Sequence, residues 1–231
     1  VLAPRAGERL LDIGCGTGQT VAQLAKRVGG DGEVIGVDVA GEFLAAAETR
    51  TRGMPGVRFV ESDAALLTLP DKSVDGVFSR FGVMAIDAPE MAFANFHRMT
   101  KQGGRLAFVC WRALEENVLD WLPVHAAGLE NLADRIPFRF EDGDYVRGLL
   151  EGAGYRDVEV CAQDMAVSCG DLDATVRVLT TVGALGRILR HAPEHLPAAQ
   201  DRLLAALPAP QADGAVYLGG ATWVVSAAAG G

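Results

Sequence analysis

The stretch Asp12-Ile13-Gly14-Cys15-Gly16-Thr17-Gly18 carries the strongest chemical signal in this chain. Alternating glycines let a backbone turn sharply and approach a ligand without a Cβ in the way. If a helix follows, the unpaired N–H groups of its first turn favour a carboxylate or another anion nearby. Asp38 stands 20 residues past Gly18, at the end of a second apolar run, where a carboxylate can accept hydrogen bonds from both ribose hydroxyls. Asp63 ends a third run. Three acids at three successive strand ends, around one glycine loop, describe a site for a nucleoside-bearing ligand.

Two ligand classes fit that description, and spacing separates them. The dinucleotide pattern GxGxxG needs a third glycine at position 19, where this chain has Gln19. The glycines here are Gly14, Gly16 and Gly18, with Asp12 two residues before the first. A dinucleotide site must admit a pyrophosphate. An acid at position 12 suits instead a ligand with an ammonium group, which it could orient directly or through water. An NAD(P)-dependent oxidoreductase is therefore the weaker alternative.

The elements that must hold these residues follow from periodicity. Short β-branched runs alternate with helical patterns, the mark of a parallel sheet built from βαβ units. Strands are expected at Arg9 to Ile13, Glu33 to Val37, Val57 to Glu61, Val74 to Ser79 and Arg105 to Trp111. Helices are expected at Thr20 to Val28, where Val21, Leu24, Ala25 and Val28 share a face, at Glu42 to Arg52, and from about Pro89, a residue suited to a first helical turn. Beyond residue 112 the pattern loosens. Residues 112 to 142, with Pro123 and Pro137, offer no clear strand. A helix over Asp144 to Glu151 and a long strand over Tyr155 to Val167 come next. Helical patterns at Leu172 to Leu189 and Ala198 to Leu207 precede a last strand at Ala221 to Ala228. In such sheets ligands bind beyond the carboxyl ends of the strands, where strand order reverses.

At this point the motifs resemble those of class I S-adenosylmethionine (SAM)-dependent methyltransferases, of the ubiquinone/menaquinone-biosynthesis type. LLDIGCGTGQT (Leu10 to Thr20) resembles their first motif, and VIGVDVAGEFL (Val34 to Leu44) the second. SDA (Ser62 to Ala64), SVDGVFSRFGVM (Ser73 to Met84) and GGRLAFVCWR (Gly103 to Arg112) follow in order, and DYVRGLLEGAGYRDVEV (Asp144 to Val160) matches less closely. The resemblance implies an α/β, Rossmann-like sheet of seven mostly parallel strands with helices on both faces. Its strand order would be 3-2-1-4-5-7-6, with the last strand antiparallel. It also implies SAM as cofactor and methyl transfer to a small-molecule acceptor. The cofactor-binding set becomes Asp12, Gly14, Cys15, Gly16, Gly18, Asp38 on the ribose, Val39, Phe43 against the ring, Asp63 on the adenine amino group, Ala64, Ser79, Arg80 and Phe81.

We expect one methyltransferase domain over residues 1–231, with a substrate-pocket segment at about 112–142. A helical insertion at about 171–215 would serve as a dimer surface or a pocket wall. For an acceptor that must lose a proton a general base helps. His125 is the candidate base. Arg80 is a second catalytic candidate, facing the acceptor pocket as a cation or contributing mostly its main chain, with Trp111, Arg112 and Trp121 as pocket residues. His97, His191 and His195 read as structural, His97 on a solvated helix side. The absence of an obvious base keeps a SAM-binding protein without catalysis as an alternative.

Composition narrows the partners. A net charge of -9 lacks the cationic field that phosphate backbones and anionic membranes reward. The tetrapeptide (N/D/S)PP(Y/F) of DNA-amino methyltransferases is replaced by Ser79-Arg80-Phe81-Gly82. No nucleic acid and no membrane partner are expected, and a homodimer is allowed. The four cysteines show neither CxxC nor metal-ligand spacing, so no metal is expected and a reducing cytoplasm suits them. The chain opens on Val1 rather than Met, and we expect residues to precede it.

Overall fold

Strand β1 (Arg9–Ile13) has the sequence of a central strand, RLLDI, and Leu10, Leu11 and Ile13 are all buried. A parallel strand covered on both faces reads as such a continuous apolar run. In the computed structural model, which describes residues 1–230, β1 lies between β2 (Glu33–Asp38) and β4 (Val74–Arg80), parallel to both. Asp12 is registered against Gly36 on one side and Phe78 on the other. Strand β3 (Val57–Glu61) extends the sheet beyond β2, and β5 (Thr100–Trp111) pairs in parallel with β4. With β6 (Tyr155–Gly170) and β7 (Val216–Ala229) the order is 3-2-1-4-5-7-6, with β7 antiparallel. The chain therefore leaves β1 toward β2 and β3 and returns to its other side at β4. That reversal is the switch point.

Helix α1 (Gln19–Val28) buries Val21, Leu24, Ala25 and Val28, as their spacing requires. Helix α2 (Gly41–Arg50) follows β2, and α3 (Pro89–Met99) starts on its proline. Helix α5 (Gly143–Gly152) contacts α3. His97 departs from expectation. It is half-buried rather than solvated, with its ring edge-to-face on Tyr155 at 5.0 Å between centroids.

The chain divides into two compact units. The first holds residues 1–110, 143–161 and Trp223 onward. The second holds residues 111–142 and 162–222. The second is helical at its core: α4 (Val118–Ala127) packs against α7 (Gly183–His191) and α8 (Leu196–Ala206), burying Val124, Leu185, Ile188 and Leu203. Pro123 does not break α4 but lies inside it, buried. An interior proline costs roughly 3 kcal/mol, a cost that burial of Val124 and Ala127 alongside it offsets.

The expected helix over Leu172 to Leu189 is two helices, α6 (Leu172–Leu179) and α7. Three interactions make the break. The Thr180 and Thr181 hydroxyls donate to the carbonyls of Val176 and Arg177. Gly183 takes φ +73°, and the Asp120 carboxylate accepts from the Ala184 N–H at 2.6 Å. No helix among the described residues is long and apolar enough to cross a membrane.

Candidate cofactor site

The loop after β1 is built on left-handed glycines: Gly14, Gly16 and Gly18 have φ of +64°, +52° and +77°. Each serves a different purpose. A Cβ on Gly14 would lie 2.6 Å from the Cα of Gly82, so the β1 and β4 loops cross almost backbone to backbone. A Cβ on Gly18 would lie 2.8 Å from that of Ala47, so this glycine lets α1 meet α2. A Cβ on Gly16 would meet nothing within 4 Å. That space is open cleft.

The crossing is pinned by Ser79, whose buried hydroxyl donates to the Ile13 carbonyl at 2.7 Å and accepts from the Gly82 N–H at 3.2 Å. Next to it Phe81 takes φ +61°, a conformation that costs a bulky side chain about 1–3 kcal/mol and clusters at functional sites.

These features border one cavity of about 440 Å³, within the range of small-molecule and cofactor sites. Of the residues named from sequence, Gly14, Gly16, Asp38, Val39, Phe43, Asp63, Ala64 and Phe81 line it. Asp38 ends β2 with one carboxylate oxygen accepting from the Gly16 N–H at 2.8 Å and the other from the Ala40 N–H at 3.1 Å. It thus fixes the glycine loop, and each oxygen keeps a second lone pair for a ligand hydroxyl. Asp63 accepts from the Ala65 N–H at 2.8 Å, capping a short turn at the cavity wall. Phe43 and Val39 are well exposed, an unfavourable state for apolar side chains unless a flat apolar ligand covers them.

The remaining named residues stand outside the cavity lining. Asp12 is buried beneath the loop and accepts from the Thr20 hydroxyl on α1. Its other oxygen is buried without a partner. Burial pushes its pKa up to about 7, opposed by the Thr20 hydrogen bond. An acid in that condition is complementary to a cation bound close by. Cys15 is buried rather than presented to the cleft: a Cβ on Gly36 would sit 2.9 Å from its sulfur. Burial pushes its thiol up to about 12, so it is no nucleophile. Gly18 and Ser79 act through packing and hydrogen bonding. Arg80 is exposed and donates to the Gln19 side chain at 2.8 Å. His125 belongs to the second unit, where it stacks on Trp121 at 5.4 Å and bonds Glu130 at 2.6 Å with most of its side chain in solvent.

Sequence reading missed Ile13, Val37, Ser62, Ala85, Ile86 and Asp87 in the lining, where Gly82, next to the expected loop residues, also stands. The segment after β4 turns back in a short 3-10 turn, Val83–Ala85, that brings Ala85, Ile86 and Asp87 to the cleft.

SAM can be tested against these residues. A nucleoside needs ribose acceptors and apolar cover, which Asp38, Phe43 and Val39 supply. An amino-acid moiety needs a negative partner near the loop, and Asp12 has an unsatisfied buried oxygen. Open space at Gly16 admits the ligand close to the backbone. The residues fit the group.

Comparison with known proteins agrees. The methyltransferase-domain family model, Methyltransf_11, matches residues 11–108. The ubiquinone/menaquinone biosynthesis C-methyltransferase UbiE of Azotobacter vinelandii is 32% identical over 172 residues, 67% of this chain and 68% of that protein. The YcgJ protein of Bacillus subtilis superposes with a TM-score of 0.67 at 22% identity, over 97% of this chain and 93% of its own. The phosphoethanolamine N-methyltransferase 2 of Haemonchus contortus, in complex with S-adenosyl-L-methionine, gives 0.63 at 20% identity, over 98% of this chain and 50% of its own.

Proposed function

The chain belongs to the class I SAM-dependent methyltransferases of the ubiquinone/menaquinone-biosynthesis type, and from that premise we propose how its residues divide the work and what it methylates. It transfers a methyl group from SAM to a small-molecule acceptor. SAM supplies an activated sulfonium methyl, so the protein's task is to position two reactants and keep water out.

In our reading Asp38 takes the ribose hydroxyls, Asp63 the adenine amino group, and Phe43 with Val39 the face of the ring. Gly14, Gly16 and Gly18 shape the loop around the amino-acid moiety, and Asp12 answers its ammonium group from below. Ser79 and Phe81 hold the loop crossing, Cys15 packs beneath the loop, and Ala64 lines the cleft beside Asp63. His125, the candidate base, is tied to Glu130, and Arg80, a permanent cation that cannot serve as a base, is tied to Gln19. One observation carries this division, the convergence of Asp38, Asp63, Gly14 and Gly16 on a single cavity.

The acceptor we propose is small and partly apolar. The name of the Azotobacter relative places quinone-biosynthesis rings among the first to try. We further propose that the whole chain works as one methyltransferase domain. Residues 112–142 would supply acceptor contacts, and the helices of 171–215 a pocket wall or a dimer surface. A cytoplasmic protein without nucleic-acid or membrane partners fits the acidic charge. Incubating the full chain with methyl-labelled SAM and a panel of phenols, quinones and amines tests the catalytic reading. Label transferred to at least one of these small molecules is expected; SAM binding with no transfer to any of them would favour a non-catalytic SAM binder.

A further inference from the structure

The second unit has a cavity of its own, about 250 Å³, whose walls belong entirely to residues 111–187 of that unit. Trp111, Leu119, Phe138, Val167, Leu179 and Val182 make it largely apolar. By volume it could hold about eight waters, but an apolar wall gives water few partners. The exceptions are Asp120 and Arg187, and both are underused.

Asp120 is 8% exposed. One carboxylate oxygen caps the start of α7 by accepting from the Ala184 N–H. The other takes no hydrogen bond from the described residues. Burial raises its pKa, and the nearby Arg187 partly opposes that rise. Arg187 Nε is itself buried without a hydrogen bond, since its ion-pair partner, the Asp134 carboxylate, stands at 3.7 Å. Leaving a buried charged group short of hydrogen bonds costs more than a typical hydrogen bond contributes. A site with an acceptor, a donor and aromatic walls is therefore poised for a ligand that satisfies both.

We propose that this cavity binds a small hydroxylated aromatic molecule, its ring against Trp111 and Phe138 and its hydroxyl between Asp120 and Arg187. A phenolic oxygen can donate its hydrogen to the carboxylate and accept one from the guanidinium. An ether oxygen in the same place can only accept. A wholly apolar ligand would leave both polar groups unserved, and a carboxylate ligand would face Asp120. The inference uses no feature of the cofactor cleft, and the test omits SAM, so its failure would not touch the SAM reading.

Calorimetric titration of the full chain with phenol and with anisole, its methyl ether, tests the proposal. Phenol should bind saturably and anisole at least tenfold more weakly. Asp120→Asn, which can still cap Ala184, should weaken phenol about tenfold and leave anisole unchanged. Val178→Phe, which fills the cavity from α6, should remove phenol binding. The proposal is overturned if phenol shows no saturable binding, if phenol and anisole bind equally, or if folded Val178→Phe binds phenol as well as the wild type. The phenol and anisole contrast needs no variant, so it decides the matter even if Asp120→Asn fails to fold.

Discussion

The two units specify their cavities by different means. Around the cofactor cleft the determinants are backbone: three left-handed glycines, a loop crossing with no room for a Cβ, and carboxylates that accept main-chain N–H groups. Around the second unit's cavity they are side chains. Leu119, Phe138 and Val167 shape its wall, and the helical core beside it is Val124, Leu185, Ile188 and Leu203. Backbone geometry at a glycine tolerates almost no substitution. An apolar core tolerates many, provided volume is kept. A site of the first kind fixes one ligand shape, whereas a site of the second kind can be re-cut by ordinary substitutions while the fold persists.

The sharpest way to break this contrast is a matched pair. Gly14→Ala combines a positive φ with a 2.6 Å approach to Gly82, and should destabilise the fold by about 3 kcal/mol or more. Leu203→Met, at a fully buried core position of the second unit, should cost less than about 1.5 kcal/mol. Denaturant unfolding of both variants would show it, and equal losses would dissolve the distinction.

Within the loop, Gly16→Ala refines it. Nothing crowds that position, so the stability cost should be only about 1–2 kcal/mol, from the left-handed backbone. The added methyl faces the cleft, so SAM affinity should drop more than stability does. A calorimetric titration beside a thermal melt would separate the two effects, and unchanged affinity would mean that the open space at Gly16 is not used.

A smaller effect concerns pH. Burial raises Asp12 to about 7 from an ordinary value near 3.8, so folding disfavours its ionised form. The Asp12 contribution to stability is therefore fully present below about pH 4, is lost as pH rises toward 7, and levels off above that. Asp12→Asn should flatten this slope in the ligand-free protein. Unfolding curves between pH 4 and 8 that superpose for wild type and variant would show that Asp12 ionises freely.

What the sequence disclosed follows the same division. Strands β1 and β2 were legible because a parallel strand buried on both faces reads as a nearly continuous apolar run. Strands β3 to β5 were legible as short β-branched or apolar runs between turn residues, and the loop because its φ values favour glycine. Asp38 and Asp63 were legible as strand-end acids. Their second role, accepting the N–H groups of Gly16 and Ala65, depends on the loop geometry and is not marked by their spacing. Cys15 sat inside the motif, yet its side chain turns under the sheet toward Gly36, which motif position alone does not reveal. Asp87 and Ile86 reach the cleft through a 3-10 turn that no periodicity marks. In the second unit, residues 112–142 showed no clear element because local propensity counts against a helix around Pro123, which α4 nonetheless carries. The break between α6 and α7 went unseen although Gly183 sits at it, because the Asp120 carboxylate that caps the new helix lies more than 60 residues earlier in the chain.

The central claim is that the carboxylate at the end of β2 and the glycine loop together grip the adenosyl amino acid. Calorimetric titration of the full chain with S-adenosylhomocysteine, alongside Asp38→Ala, tests it most directly. We expect saturable one-to-one binding by the wild type. The variant should bind roughly 10- to 100-fold more weakly, as loss of charge-assisted hydrogen bonds implies. Binding of equal strength by both proteins, or no binding by the wild type, would contradict the account.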